Sequence, residues 1–72
     1  MIKVTENTFR ALDNNSNGIC TKCNTVTDGV EPDAEKYQCD SCEKFAVYGA
    51  EQLLILGALA ICDNESQETI VL

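Results

Sequence analysis

GICTKCNTVTDGVEPDAEKYQCDSCEKFAVY, residues 18–48, decides the fold. It contains two Cys-x-x-Cys pairs, Cys20-Thr21-Lys22-Cys23 and Cys39-Asp40-Ser41-Cys42, with fifteen residues between them. Four thiolates suit a soft divalent ion that binds at tetrahedral corners, with metal–sulfur distances near 2.3 Å. Two residues between cysteines allow a tight turn that lines both sulfurs along one edge of the tetrahedron. The long excursion makes a hairpin that carries the second edge back. Cys20, Cys23, Cys39 and Cys42 are therefore expected to ligate one metal ion. Asn24, just after the first pair, tolerates the left-handed backbone common at such turns. Glu43 holds the matching place after the second pair and is a poorer fit, so the second turn is expected to be less regular. Thr25-Val26-Thr27 is β-prone, Asp28-Gly29 signals a tight turn, and Glu31-Pro32-Asp33-Ala34 has the proline placement of a type I turn. Phe45 to Tyr48 reads as a short returning strand.

Zinc is the ion this ligand set favours, and it would close its coordination sphere with protein sulfur alone. Iron accepts the same four ligands. Two disulfides or a pair of redox motifs are further readings of the same cysteines. The N-terminal MIKVTENTFR has no apolar run of the kind a secretory leader carries, so a cytoplasmic, reducing setting is expected, where clustered cysteines more often hold metal than pair with each other. An attacking thiol usually sits near positive charge, whereas Asp40 lies inside one pair and Glu43 follows it. A closed sphere leaves no position for an activated water, and the 72 residues include no histidine, the commonest general base. The expectation is a structural ion and no enzymatic activity. The fifth cysteine, Cys62, lies in an apolar run and is expected to be a small buried hydrophobe.

At 72 residues the chain suffices for one small domain, whose core alone would be marginal; a metal supplies what a larger core otherwise would. Twelve acidic and five basic residues give a formal net charge of −7. Four thiolates around one divalent ion bring this near −9. Lys3, Arg10, Lys22, Lys36 and Lys44 are scattered singly, and none follows Lys44. Such a field repels a phosphate backbone, which argues against a nucleic-acid partner and for a basic protein. The acidic excursion residues Glu31, Asp33 and Glu35 are the candidate partner-binding surface.

The flanks carry weaker signals. Residues 1–17 are expected to form a short strand, a helix from Glu6 to Asp13 capped by Thr5, and a turn-rich linker ending in Asn17-Gly18. Residues 49–62 read as an apolar helix capped by Gly49, with Tyr48 and Leu53 as a hydrophobic staple and Gln52 reaching back to the cap. Within it, residues 53–62 carry no polar side chain except the Cys62 thiol, and ten residues fall far short of a membrane span. A helix apolar on every side needs cover on every side. The ribbon and flanking elements would provide it, with a second copy of the chain as the alternative; Gly57, Ala58 and Ala60 would let another helix come close. Residues 63–72 are expected to form a tail or a terminal strand over Thr69–Leu72 beside residues 1–4.

The segment Cys20-x-x-Cys23, Gly29-Val30-Glu31-Pro32-Asp33-Ala34, Tyr37-x-Cys39-x-x-Cys42 and Val47-Tyr48-Gly49-Ala50-Glu51-x-Leu53-Leu54 resembles a group of small zinc-ribbon proteins found in bacteria and their phages. The cysteine spacing is common to many ribbons; the Val-Glu-Pro-Asp-Ala and Val-Tyr-Gly-Ala-Glu blocks are more distinctive. The resemblance covers about residues 18–56 and implies a zinc-ribbon fold and a bound metal, with no activity to carry over. It also points to a phage or mobile-element origin.

Together these readings give a small α+β metal-bound domain: a zinc ribbon of β-hairpins over residues 18–48, an apolar helix after it and a short helix before it. The expected function is that of a non-catalytic protein-interaction module, an acidic accessory or inhibitory factor acting on a host protein. The alternatives are a nucleic-acid-associated ribbon of transcription or translation, and a redox or metal-transfer protein.

Overall fold

A computed structural model of the chain describes residues 2–70. Strand β1 (Ile2–Thr5) alternates, with Ile2 and Val4 buried and Lys3 exposed. Thr5 ends it and caps helix α1 (Glu6–Asn14), its hydroxyl accepting the Thr8 N–H at 3.3 Å. Glu6 stands in the first turn, where the helix dipole favours a carboxylate. Leu12 is fully buried and Phe9 packs beside the same core. The expected N-terminal helix and its cap are thus both present.

A four-stranded antiparallel sheet follows, ordered β3-β2-β5-β4. Its strands are β2 (Gly18–Cys20), β3 (Val26–Thr27), β4 (Tyr37–Gln38) and β5 (Phe45–Gly49). Ile19 lies opposite Tyr48, and Cys20 opposite Val47. Successive side chains on a strand point to opposite faces. Ile19 therefore joins a core made of Ile2, Val4, Leu12, Ala50, Leu53, Leu59 and Ile70, while Cys20 joins a second, with Val30, Ala34, Cys39, Ala46 and Val47. One core holds the helices; the other holds the cysteines.

The turn at Glu31–Ala34, closed by Ala34 N–H to Glu31 C=O at 3.0 Å, lies over the end of β5. Gly49 N–H donates to Ala34 C=O at 3.0 Å. A Cβ on Gly49 would stand 2.1 Å from the Glu31 carbonyl oxygen and 2.3 Å from that of Pro32, so only glycine fits. Gly49 is also the N-cap of helix α2 (Ala50–Ile55), as expected. Gln52 does not reach back to that cap. Its backbone N–H donates to Pro32 C=O at 2.9 Å, and its side-chain amide to Glu35 Oε1 at 2.6 Å. The N-cap N–H that the side chain would have met, that of Gly49, is already taken by Ala34 C=O.

The apolar helix expected over residues 49–62 is corrected: α2 stops at Ile55, and Leu59–Cys62 is strand β6. Gly57 is the reason. At φ +74° it takes the left-handed position past the helix end, with Gly57 N–H bonded to Leu54 C=O at 3.2 Å and Ala58 N–H to Leu53 C=O at 3.0 Å. This is the Schellman pattern of helix termination. An unbroken apolar run has no period with which to separate helix from strand. The expectation that every side of this run needs cover falls with the helix: Leu53 and Leu59 are buried, but Leu54, Ile55, Leu56 and Ile61 are exposed.

β6 pairs in parallel with β1, Ile2 opposite Leu59 and Thr5 opposite Cys62, as a second, two-stranded sheet. The other edge of β1 is covered by the segment after the 3₁₀ turn Glu65–Gln67. Thr69 N–H donates to Lys3 C=O at 2.7 Å, and Lys3 N–H to Thr69 Oγ1 at 3.0 Å. Thr69 thus lies beside β1 as anticipated, although the ladder partner of β1 is β6; Val71 and Leu72 of the expected terminal strand lie outside the described residues. No helix among the described residues is long and apolar enough to cross a membrane.

Candidate metal centre

Each Cys-x-x-Cys pair is folded by the same set of backbone bonds. Asn24 N–H returns to Cys20 C=O, and Glu43 N–H to Cys39 C=O, both at 2.9 Å. Cys20 N–H donates to Thr25 C=O at 3.0 Å, and Cys39 N–H to Lys44 C=O at 2.8 Å. Asn24 and Glu43 both take left-handed φ, +62° and +64°. The expectation of a less regular second turn is therefore corrected. The closing bonds need positive φ at that place, and the turn imposes it on a glutamate as well as on an asparagine.

These two turns face each other across the second core. The Cys20 and Cys42 sulfurs stand 3.6 Å apart and those of Cys23 and Cys39 3.5 Å, and all four lie within 4.8 Å of one another. Four sulfurs each 2.3 Å from a central ion would be separated by about 3.8 Å. The observed separations bracket that value and are far longer than a disulfide bond; all five cysteines are free. Cys20 and Cys39 are buried, Cys42 is half-buried and Cys23 exposed. The group thus sits at the edge of its core, with β2 and β5 behind it.

The surroundings suit negatively charged sulfur. Lys22 N–H points at Cys20 Sγ and Ser41 N–H at Cys39 Sγ, each at 3.4 Å. The Thr25 hydroxyl lies 3.0 Å from Cys23 Sγ. That hydroxyl, helped by the Thr25 backbone N–H, lowers the Cys23 thiol to about 6. At Cys42 the Lys44 backbone N–H pulls downward, but burial and the three neighbouring sulfurs outweigh it and push the thiol up to about 11. Sulfurs this close cannot all ionise without a cation among them. Donors aimed at ligand atoms are the outer support that orients metal ligands. These donors escaped the sequence reading. The x-x residues act here through backbone N–H groups, which carry no side-chain signature, and only Thr25, two residues past Cys23, could have been picked out.

Cys62 stands apart from the cluster. It is half-buried rather than buried, because β6 is an edge strand, and its thiol donates to Asn64 C=O at 3.5 Å. The candidate surface residues Glu31, Asp33 and Glu35 are all exposed on the turn over β5, but they are not equivalent. Glu31 accepts the Tyr37 hydroxyl, which holds its carboxyl below the usual carboxylate range and raises the Tyr37 phenol. Glu35 accepts the Gln52 amide. Two of the three thus fasten the turn to its neighbours.

The fold and the cluster define a small α+β protein with two sheets, two helices and a four-cysteine group placed to hold one metal ion. No family model matches the chain, and neither a curated protein nor a solved structure matches it.

Proposed function

We propose that the chain is a zinc ribbon whose single structural zinc, held by Cys20, Cys23, Cys39 and Cys42, staples a non-catalytic protein-interaction module. The observation that carries this reading is the equivalence of the two cysteine turns, each with a backbone N–H aimed at its first sulfur, around four sulfurs that all lie within 4.8 Å of one another. A redox pair works by itself, one thiol attacking and the other resolving; here two matched turns bring all four sulfurs against one another, which suits a closed cage instead. Four sulfur ligands and the lack of histidine support a structural role for the ion. The net charge of −7 supports a basic protein partner over nucleic acid. Zinc is worth on the order of 10–16 kcal/mol in finger peptides, as much as the whole stability of a small domain.

Elemental analysis of protein purified without added metal tests the reading. One zinc per chain, with loss of the folded amide spectrum on chelation, is the expected result. Iron in place of zinc, or a fold indifferent to chelation, would overturn it. Retarded migration of single- or double-stranded nucleic acid at low salt would overturn the choice of partner.

A further inference from the structure

The two-stranded sheet is protected on one side only. Ile2 N–H donates to Ala58 C=O at 3.0 Å, and Ile2 stands opposite Leu59. In a parallel ladder this register turns the backbone groups of Ala58, Ala60 and Cys62 toward β1 and those of Leu59 and Ile61 away from it. The far edge of β1 is taken by Thr69 and by Glu68, whose carboxylate accepts Thr5 N–H at 2.9 Å. The far edge of β6 has no strand neighbour among the described residues. Natural edge strands are usually kept short, charged or interrupted by proline. β3 and β4, the edges of the other sheet, are two residues each. β6 is four residues, Leu-Ala-Ile-Cys, with no charge and no proline.

Exposed apolar side chains gather in the same segment. Ile55 is 77% exposed, Leu56 55%, Leu54 42% and Ile61 41%. Beyond the end of β6 a shallow hollow is lined by Asp63 and Glu65, by Glu6, which is paired with Arg10, and by Thr5, Asn7 and Cys62. No lysine or arginine follows Lys44, so the segment that carries the apolar patch and the strand edge has no positive charge of its own. A second copy at this edge would bring together two chains of −7 each. A basic segment would be attracted.

We propose that the outer edge of β6 accepts an extended, basic segment of a partner protein as an added strand, with apolar side chains against Leu54, Leu56 and Ile61 and Lys or Arg side chains at Asp63 and Glu65. Strand addition of this kind takes its affinity from main-chain hydrogen bonds and its selectivity from alternate side chains. The proposal rests on the interaction-module reading and moves the docking surface from the Glu31–Glu35 turn to the opposite sheet.

The test uses the zinc-bound 72-residue chain, labelled for amide spectroscopy, and a ten-residue peptide of alternating lysine and valine. A second peptide of the same composition carries N-methyl groups on alternate backbone amides, which keeps its charge but blocks strand pairing. The expected result is shifts at Leu59, Ile61 and Leu54 to Leu56, with binding at least tenfold weaker for the methylated peptide. Ile61→Pro removes only an N–H that points away from β1, so it should retain the zinc and the fold yet lose the difference between the peptides. Equal binding of both peptides, or shifts confined to residues 31–35, would overturn the proposal. So would self-association of the unmutated chain that Ile61→Pro abolishes, since a second copy would then be the occupant. Zinc content is measured on every sample: its absence defeats the ribbon reading, whereas intact zinc with indifferent peptides defeats the strand-addition proposal alone.

Discussion

Asn24 and Glu43 occupy the same place in the two cysteine turns and share one backbone conformation, at φ +62° and +64°. Left-handed backbone costs an L-residue roughly 1–2 kcal/mol, somewhat less for asparagine. Glycine carries no such penalty, but it loses about 0.5–1 kcal/mol through the greater freedom of the unfolded chain. Glu43→Gly should therefore stabilise the metal-bound fold by about 0.5–1 kcal/mol. Asn24→Gly should give less. Thermal unfolding of the two variants side by side checks the ordering. A Glu43→Gly variant that melts below the parent would mean that the glutamate side chain contributes something the backbone does not reveal.

Gly49 sits beneath the Glu31–Ala34 turn, where a Cβ would lie 2.1 Å from a carbonyl oxygen. Gly49→Ala must push the turn away, and with it the Pro32 carbonyl that caps α2. Overpacking of this kind costs typically 1–3 kcal/mol. In a domain of this size that corresponds to a fall in Tm of roughly 4–8 °C per kcal/mol. Zinc stoichiometry should stay at one per chain, because neither cysteine turn includes residues 31–34. Unchanged melting would show that the turn does not rest on Gly49.

The same contact joins the segments Val30–Ala34 and Val47–Glu51. The first forms the turn and the second the strand end and helix start beneath it, and Gly49 is where they touch. The cysteine cluster was legible because its chemistry dictates both residue type and spacing. Thr5 and Glu6 were legible because capping is local. Leu59–Cys62 was not: ten apolar-dominated residues look alike as helix or strand, and only the pairing with Ile2–Thr5, far away in sequence, decides between them. Gly57 was the available sign, read as a place for close helix approach when it is a helix stop. Glu31 and Glu35 looked like a free acidic surface because their partners, Tyr37 and Gln52, are brought to them only by the fold.

Replacing one ligand should do more than any of these changes. Cys39→Ser puts a harder, protonated oxygen where a buried thiolate is needed, inside the core that also contains Val30, Ala46 and Val47. Loss of bound zinc and of the folded amide spectrum is expected, with Cys62→Ser as the control that keeps both, since Cys62 lies outside the cluster. A Cys39→Ser chain that stays folded without metal would sink the stapling argument.

Glu68 ties the C-terminal segment to the start of α1. Its carboxyl is held below the usual range, first by the Thr8 hydroxyl, then by Thr5 N–H, against a smaller opposing effect of burial. A carboxyl depressed in the folded state adds stability above its unfolded pKa, and loses it as pH falls through the folded one. Glu68→Gln should therefore lower stability at neutral pH, and the gap to the parent should close as the solution is acidified below the ordinary carboxylate range. Denaturant unfolding at several pH values measures it; a gap that stayed constant with pH would mean that shape rather than charge matters at this site.

Glu51 should behave in the opposite way. A hydrogen bond with Asp13, available once one of the two carboxyls is protonated, raises Glu51 above its ordinary range, and the Asp13 charge adds to the effect. Asp13 Oδ1 is itself buried with no hydrogen-bond donor among the described residues, so a proton on Glu51 offers that carboxyl a donor. A carboxyl raised in the folded state destabilises the fold above its folded pKa, where both groups are charged, and that destabilisation fades as pH falls toward the unfolded value. Glu51→Gln should therefore stabilise the chain at neutral pH, since the amide can donate to Asp13 without acid. Its advantage over the parent should shrink on mild acidification, the reverse of the Glu68 trend in sign. Because release of a metal held by the four cysteines at low pH would mask both trends, the comparison belongs above the pH at which the parent chain begins to lose metal. There, an advantage for Glu51→Gln that did not change with pH would show that Asp13 and Glu51 do not share a proton across the α1–α2 contact.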